Sequence, residues 1–244
     1  MALTGTSRGE GSIDNPYEFS PASNFSAGTM AVLVLAYNNA GAFGADPFTS
    51  VTDSNGNTWT TRQSYLRDPG SGSEGCVLRI LTSMQNGGTL TTGSVITLNA
   101  SPEVDRAAWT LSEVSSSTGT PFYVTGGTTS ASGTTATITS SSITNTNMIF
   151  GGFAAEDEAA ITADSDTTNG SWSTQQTAVN TTAGTGASAM RVCSQRKIVN
   201  ADGAQTYNLS WSGSTNDAAI GWIEISDISE TLFDPFGTLG IFGI

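Results

Sequence analysis

Apolar residues in this chain fall into short runs, cut by clusters of Gly, Asn, Ser and Pro. That punctuation predicts strands joined by turns. In the first half strands are expected near 17–25, 29–37, 57–65, 75–84, 94–100 and 106–115. In the second half they are expected near 136–143, 147–155, 171–178, 187–198, 205–212 and 218–228. No segment keeps a 3.6-residue apolar period beyond three turns, so helix is not expected.

The two halves also match in order. DSNGNTWTTRQ from Asp53 answers DTTNGSWSTQQ from Asp166, an offset of 113. CVLRILTS answers SAMRVCSQ with Arg79 over Arg191, and AAWTLSEVS answers AAIGWIEIS with Glu113 over Glu224. Upstream, TMAVLVLAY answers NMIFGGFAA. Four ordered matches point to an internal duplication of a domain-sized β unit, a period far longer than that of solenoid or propeller repeats. The expected organisation is one unit over 1–117 with a flexible polar N-terminal arm at 1–14, a second over 118–228, and a C-terminal segment at 229–244.

The repeated Asp-to-Trp phrase reads as scaffold. Asn55-Gly56 and Asn169-Gly170 accept the positive φ of tight hairpin turns. Asp53 and Asp166 can hydrogen-bond the turn backbone, while Trp59 and Trp172 start the next strand and bury a ring. A calcium loop is the rival, since Asp53, Asn55 and Asn57 alternate. The glycine stands at the wrong place for it, and no Glu follows at the required distance.

Alternation puts Arg79 on a strand face with Val77 and Leu81, and Glu113 on one with Trp109 and Leu111. Arg191 and Glu224 repeat the arrangement. An Arg on an apolar face is costly unless paired. Structural ion pairs Arg79–Glu113 and Arg191–Glu224 are therefore expected.

Charge narrows the partners. Eight basic residues against 21 acidic ones give a net charge of −13. Nucleic acid and anionic membranes need a basic footprint that is missing. Only 12% of residues are charged, so solubility rests on hydroxyls and amides. Cys76 and Cys193 lie in apolar runs and read as buried free thiols. With no histidine and two distant thiols, neither a metal site nor a cofactor is expected. The Asn-x-Ser/Thr triplets at Asn24, Asn99, Asn169, Asn180 and Asn208 follow from composition, and no secretory signal is expected.

Chemistry is hard to place in such a chain. Imidazole activation of a nucleophile is unavailable, and neither a G-x-S-x-G elbow nor a P-loop occurs. Glycoside hydrolysis by two carboxylates, Glu113 and Glu224, is the one surviving enzyme class. Duplicated copies would place these residues in two equivalent sites instead of one, so no enzyme is expected. The acidic stretch with Glu156, Asp157, Glu158, Asp164 and Asp166 reads as a solvated connection, with Ca²⁺ as the alternative. Phe233, Phe236, Leu239, Ile241, Phe242 and Ile244 make the C-terminal segment strongly apolar. Such a segment either closes a sheet edge or docks on another chain as an assembly arm.

The polar start, the apolar strand after SPASNFSAGT, then DPFTSVTDSNGNTWT and a closing WTLSEVS together resemble jelly-roll-like structural proteins of tailed bacteriophages. The resemblance is strongest over residues 17–115. It implies an all-β jelly-roll-like sandwich and a virion component made in the host cytoplasm: a capsid decoration (cement) protein stabilising the particle. A tail-fibre or head-fibre module that binds carbohydrate is the alternative, with Trp211, Tyr65 and Tyr123 as its aromatic candidates. The implied partners are the chain itself, as a homo-oligomer and a trimer before a dimer, and other virion proteins such as the major capsid protein.

Overall fold

Every residue of MAVLVLAYN, from Met30 to Asn38, is buried, polar end included. A strand with no exposed face must be covered on both sides, and the layering of the molecule follows from that. The structure, a computed structural model, describes residues 3–13, 17–38, 46–67, 75–101, 104, 106–156, 159–180 and 189–227, with backbone alone at 213–216.

The first half holds β1 (Leu3–Ile13), β2 (Glu18–Phe19), β3 (Met30–Asn38), β4 (Phe48–Asp53), β5 (Thr60–Arg67), β6 (Cys76–Ser83), β7 (Ile96–Ala100) and β8 (Ala107–Ser116). The second holds β9 (Phe122–Ile143), β10 (Met148–Ala155), β11 (Ile161–Thr162), β12 (Gln176–Asn180), β13 (Met190–Ile198) and β14 (Gly203–Ser226). No helix occurs among the described residues. The chain is all-β.

Strands β1-β8-β3-β6-β5 form one antiparallel sheet, and β2-β7-β4 form a smaller one. The ladders β1–β8, β2–β7 and β3–β6 alternate between these two sheets, as when one long hairpin is rolled into a jelly roll. Strand β5 departs from the scheme by joining β6 instead of β4. The second half has the neighbour order β9-β14-β10-β13-β12, with β11 on the distal part of β14. There, β9 and β14 are long enough to serve both layers. Their 122–131/218–226 portion lies in the five-stranded path, and their 135–143/203–210 portion turns over its outer face.

The two large sheets pack face to face. Val32, Val34, Leu78 and Ile80 of one meet Phe150, Ala154, Val192 and Ile223 of the other in a single core cluster. Contacts across this interface are reciprocal. Strand β8 lies on β13 as β14 lies on β6, and β1 lies against β12 as β9 lies against β5. The outer face of the first sheet is covered by Phe19, Val51, Ile96 and Leu98 of the small sheet. The outer face of the second is covered by Tyr207, Leu209, Trp211 and Trp172.

Several expectations need correction. The polar N-terminal stretch is no flexible arm. From Leu3 to Ile13 it is an edge strand on β8, anchored by the buried ends Leu3 and Ile13. The first half has eight strands, not six, since β1 and β4 carry too few apolar residues to stand out. The expected strands at 136–143, 205–212 and 218–228 are parts of β9 and β14. The sequence leaves open whether the two units stand as separate lobes or complete one sandwich; the halves share one core cluster in the middle of the molecule. The connection from β8 to β9 runs over 117–121. The segment 229–244, with all six arm residues, lies outside the described residues.

Gly151 on β10 shows how closely the covering layer sits. A Cβ there would stand 2.6 Å from the Tyr207 ring. Gly151→Ala should cost about 1–3 kcal/mol in urea unfolding, the range for overpacking. Gly93→Ala, where the nearest atom is Thr91 Oγ1 at 3.8 Å, should stay within about 0.5 kcal/mol.

Candidate functional site

The phrase DSNGNTW is a corner between sheets. It links β4 of the small sheet to β5 of the large one, so the hairpin expected there is not formed. Asp53 Oδ1 accepts the Asn55 N–H at 2.9 Å and Asn57 Nδ2 at 3.2 Å, and Oδ2 accepts the Trp59 indole N–H at 2.6 Å. Gly56 takes φ 73°. Asn57 Oδ1 accepts the N–H groups of Gly87 and Gly88, and Asn55 Nδ2 donates to Thr89 O at 2.8 Å. The polar groups thus fasten one loop to another.

The second phrase is built differently. Asp166 Oδ1 accepts the Thr168 N–H at 2.9 Å, and the positive φ values fall on Asn169 (63°) and Gly170 (112°). Asp166 does not reach the Trp172 indole. Lys197 stands between them, with Nζ 3.2 Å from Asp166 Oδ2, a bond to Thr168 O, and the Trp172 ring centroid 5.7 Å away. The bonds from Thr168 and Lys197 hold the Asp166 carboxyl below the usual range. Lys197 is the chain's one lysine and its side chain is 0% exposed. Sequence reasoning missed it; the available signal was that the chain's one Lys falls within the strand expected at 187–198.

The expected ion pairs Arg79–Glu113 and Arg191–Glu224 do not form. Arg79 lies opposite Leu35, which lies opposite Trp109, whereas Glu113 lies opposite Ala31. The two residues share a face but stand four register positions apart, at opposite ends of it. Arg79 instead bonds Asp46, stacks 3.9 Å from the Phe48 ring centroid, and donates to the Tyr37 hydroxyl at 2.6 Å. Tyr37 donates in turn to Asp46 Oδ1 at 2.8 Å. Burial pushes the Tyr37 hydroxyl far above its ordinary pKa. Glu113 takes Arg8 through Nε and Nη2, and the Ser26 N–H at 2.8 Å. Burial raises the Glu113 pKa, but the bonds from Ser26 and Arg8 outweigh it and leave the carboxyl below its ordinary value of 4.5.

Glu224 holds the Thr144 N–H at 3.2 Å and Asn147 Nδ2 at 2.6 Å. Arg191 is opposite Ala155 and reaches Thr177 Oγ1 at 3.5 Å. If Leu35 is set against Phe153, the counterpart of Arg79 is Cys193, and Arg191 answers Val77. Glu113 and Glu224 sit on the outer faces of different sheets, so they do not flank one bond.

A polar cleft of about 560 Å³ lies over the outer layer of the second half, bordered by Thr135, Thr137, Asp164, Asp166, Asn208 and Ser210. Asp164 accepts the Asp166 N–H at 2.8 Å and the Asn208 N–H at 2.7 Å. One of its oxygens is engaged by its own loop and the other by β14. No group of three His, Cys, Asp or Glu suited to a metal ion occurs among the described residues; Asp157 and Glu158 lie outside them. Trp211 is buried, and Tyr65 and Tyr123 pack against the central cluster, so these aromatics form no exposed stacking row. Compared with protein-family models, curated proteins and solved structures, the chain matches none.

Glu113→Gln should destabilise by about 3 kcal/mol, because Arg8 is left half-buried without its counter-charge. The Glu113 pKa is lower folded than unfolded, so its contribution is full above pH 4.5 and fades as pH falls through the lower folded value. Urea midpoints between pH 6 and 3 should fall more steeply for wild type than for Glu113→Gln. Cys76 and Cys193 are buried free thiols, and burial pushes Cys193 up to about 12. Native protein should therefore react with neither a thiol reagent nor, at Lys197, an amine reagent, while unfolded protein reacts at all three. Mass spectrometry reads the difference.

Proposed function

We propose that this chain is a structural component of a bacteriophage particle, a decoration or cement protein that acts through subunit contacts. The observation that carries the reading is where the polar side chains go. Asp53, Glu113, Glu224 and Asp166 each bind backbone or indole N–H groups and hold loops in place. Groups that might have served chemistry serve rigidity. A scaffold whose partly polar interior is consumed in cross-links suits a load-bearing shell component better than a catalyst.

The matching strand order of the halves supports their origin by duplication of one jelly-roll-like unit. So does a shared detail. Glu113 clamps the N–H of Ser26, four residues before β3, and Glu224 clamps that of Thr144, four before β10. In this reading the face-to-face packing of the large sheets is a dimer-like interface within one chain, reciprocal as in an isologous pair. Further assembly then falls to surfaces outside that core, with residues 229–244 as the arm.

Light scattering on a sizing column tests the proposal with the full chain and a chain ending at Asp227. A defined oligomer that dissociates on truncation, while the far-ultraviolet β signal is kept, is the expected outcome. A monomer in both cases would remove the assembly role.

A further inference from the structure

Arg196 differs from the other basic residues. On β13 it lies opposite Phe150, on the face turned toward the first half. Its side chain runs along the backbone of Gly5 on β1, where any Cβ would collide with its Cδ and Nε. The backbone of Arg196 is held by Ser173, with its N–H 3.1 Å from Ser173 Oγ. Among the described residues its guanidinium has no hydrogen-bond or ion-pair partner. Arg8, Arg67, Arg79 and Lys197 each face a carboxylate, and Arg62 covers the Tyr123 ring. Burial pushes the Arg196 pKa below the ordinary arginine value. A guanidinium drawn partly out of water without a counter-charge is costly. Here it happens in a chain with 21 acidic residues.

Two clefts meet at this side chain. One, of about 380 Å³, has a short apolar strip, the partly buried Ile198 beside the buried Leu3 and Met148, next to Ser171 and Ser173. The other, of about 670 Å³, adds Ser7, Ser23 and Thr174 hydroxyls and the amide of Gln175, while the Gln176 amide is taken by Gly9 O and Leu111 O. The remaining charges there are engaged: Arg8 with Glu113, Lys197 with Asp166, and Glu10 Oε2 with the Thr177 N–H at 3.0 Å.

We propose that Arg196 anchors a binding site for a carboxylated saccharide, a sugar acid of the uronic or sialic kind. The planar fork of the guanidinium accepts a carboxylate through two parallel bonds. Flanking hydroxyls and the Gln175 amide match the hydroxyls of a sugar ring, and the apolar strip matches its C–H face. A net charge of −13 opposes polyanions, which favours one carboxylate on an otherwise neutral skeleton. The site does not depend on the assembly role proposed above.

Nuclear magnetic resonance titration of the full chain with D-glucuronate and with N-acetylneuraminate tests this, with D-glucose and sulfate as controls. At least one sugar acid should shift the amides of Ser7–Glu10, Ser173–Gln176 and Arg196, and glucose should not. Arg196→Gln should weaken that binding by about tenfold or more, the worth of a charge-assisted pair. Arg196→Lys, which keeps the charge without the fork, should fall between the two and provides the comparison if the Gln variant melts early. Sulfate binding at the same amides with equal affinity would make this a bare anion site and overturn the saccharide. Absence of shifts with both sugar acids, or binding unchanged in both variants, would overturn the proposal.

Discussion

Burial of the central strands of the two large sheets on both faces is the constraint on which everything else depends. Every residue of β3 and β10 is buried, as is β8 from Ala107 to Val114. Antiparallel sheets usually keep one face wet; here the central strands are dry on both sides, so any polar residue on them needs a partner inside the molecule. Thr110 meets Ser194 at 2.8 Å across the central interface. Gln176 and Asn180 of β12 carry their amides onto the backbone oxygens of Leu111 and Ala107 on β8. The scarcity of charge and abundance of Ser, Thr and Asn follow from this, since short neutral groups satisfy each other at lower desolvation cost than ions.

Most of the buried ion pairs sit at the margins of the outer faces, where an apolar layer ends. In the first half the Arg79–Asp46–Tyr37 group closes one end and the Arg8–Glu113 pair the other. In the second half Lys197 crosses to Asp166. The two ends of a face are tied by different chemistry, and the two halves by different residues, while the loop-clamping glutamate keeps its place.

Much of the sheet structure was legible because apolar runs mark strands that are buried twice over; 29–37, 75–84, 106–115 and 147–155 lie within two residues of the observed strands. The failures have a common cause. β1 reads TGTSRGEGS between its anchors because an edge strand needs few apolar side chains, and its hydrogen bonds with β8 leave no trace in composition. The Arg–Glu pairings failed because alternation gives the face of a residue and not its height along it. Matching Arg79 to Arg191 by identity placed the strand two residues out of register, enough to exchange an ion-pair position for an apolar one. The buried Lys197 and the unpartnered Arg196 are adjacent in sequence, yet they face opposite layers and became distinct only once those layers were assigned.

The continuity of β9 and β14 gives the molecule unequal compliance. In the second half the same two strands run from the central sheet into the covering layer, so those layers cannot slide past one another without bending backbone. In the first half the corresponding layers are separate sheets, joined through connections such as 54–59 between β4 and β5. Under load the first half therefore has a shear plane that the second lacks. The molecule would yield on one side and hold its shape on the other.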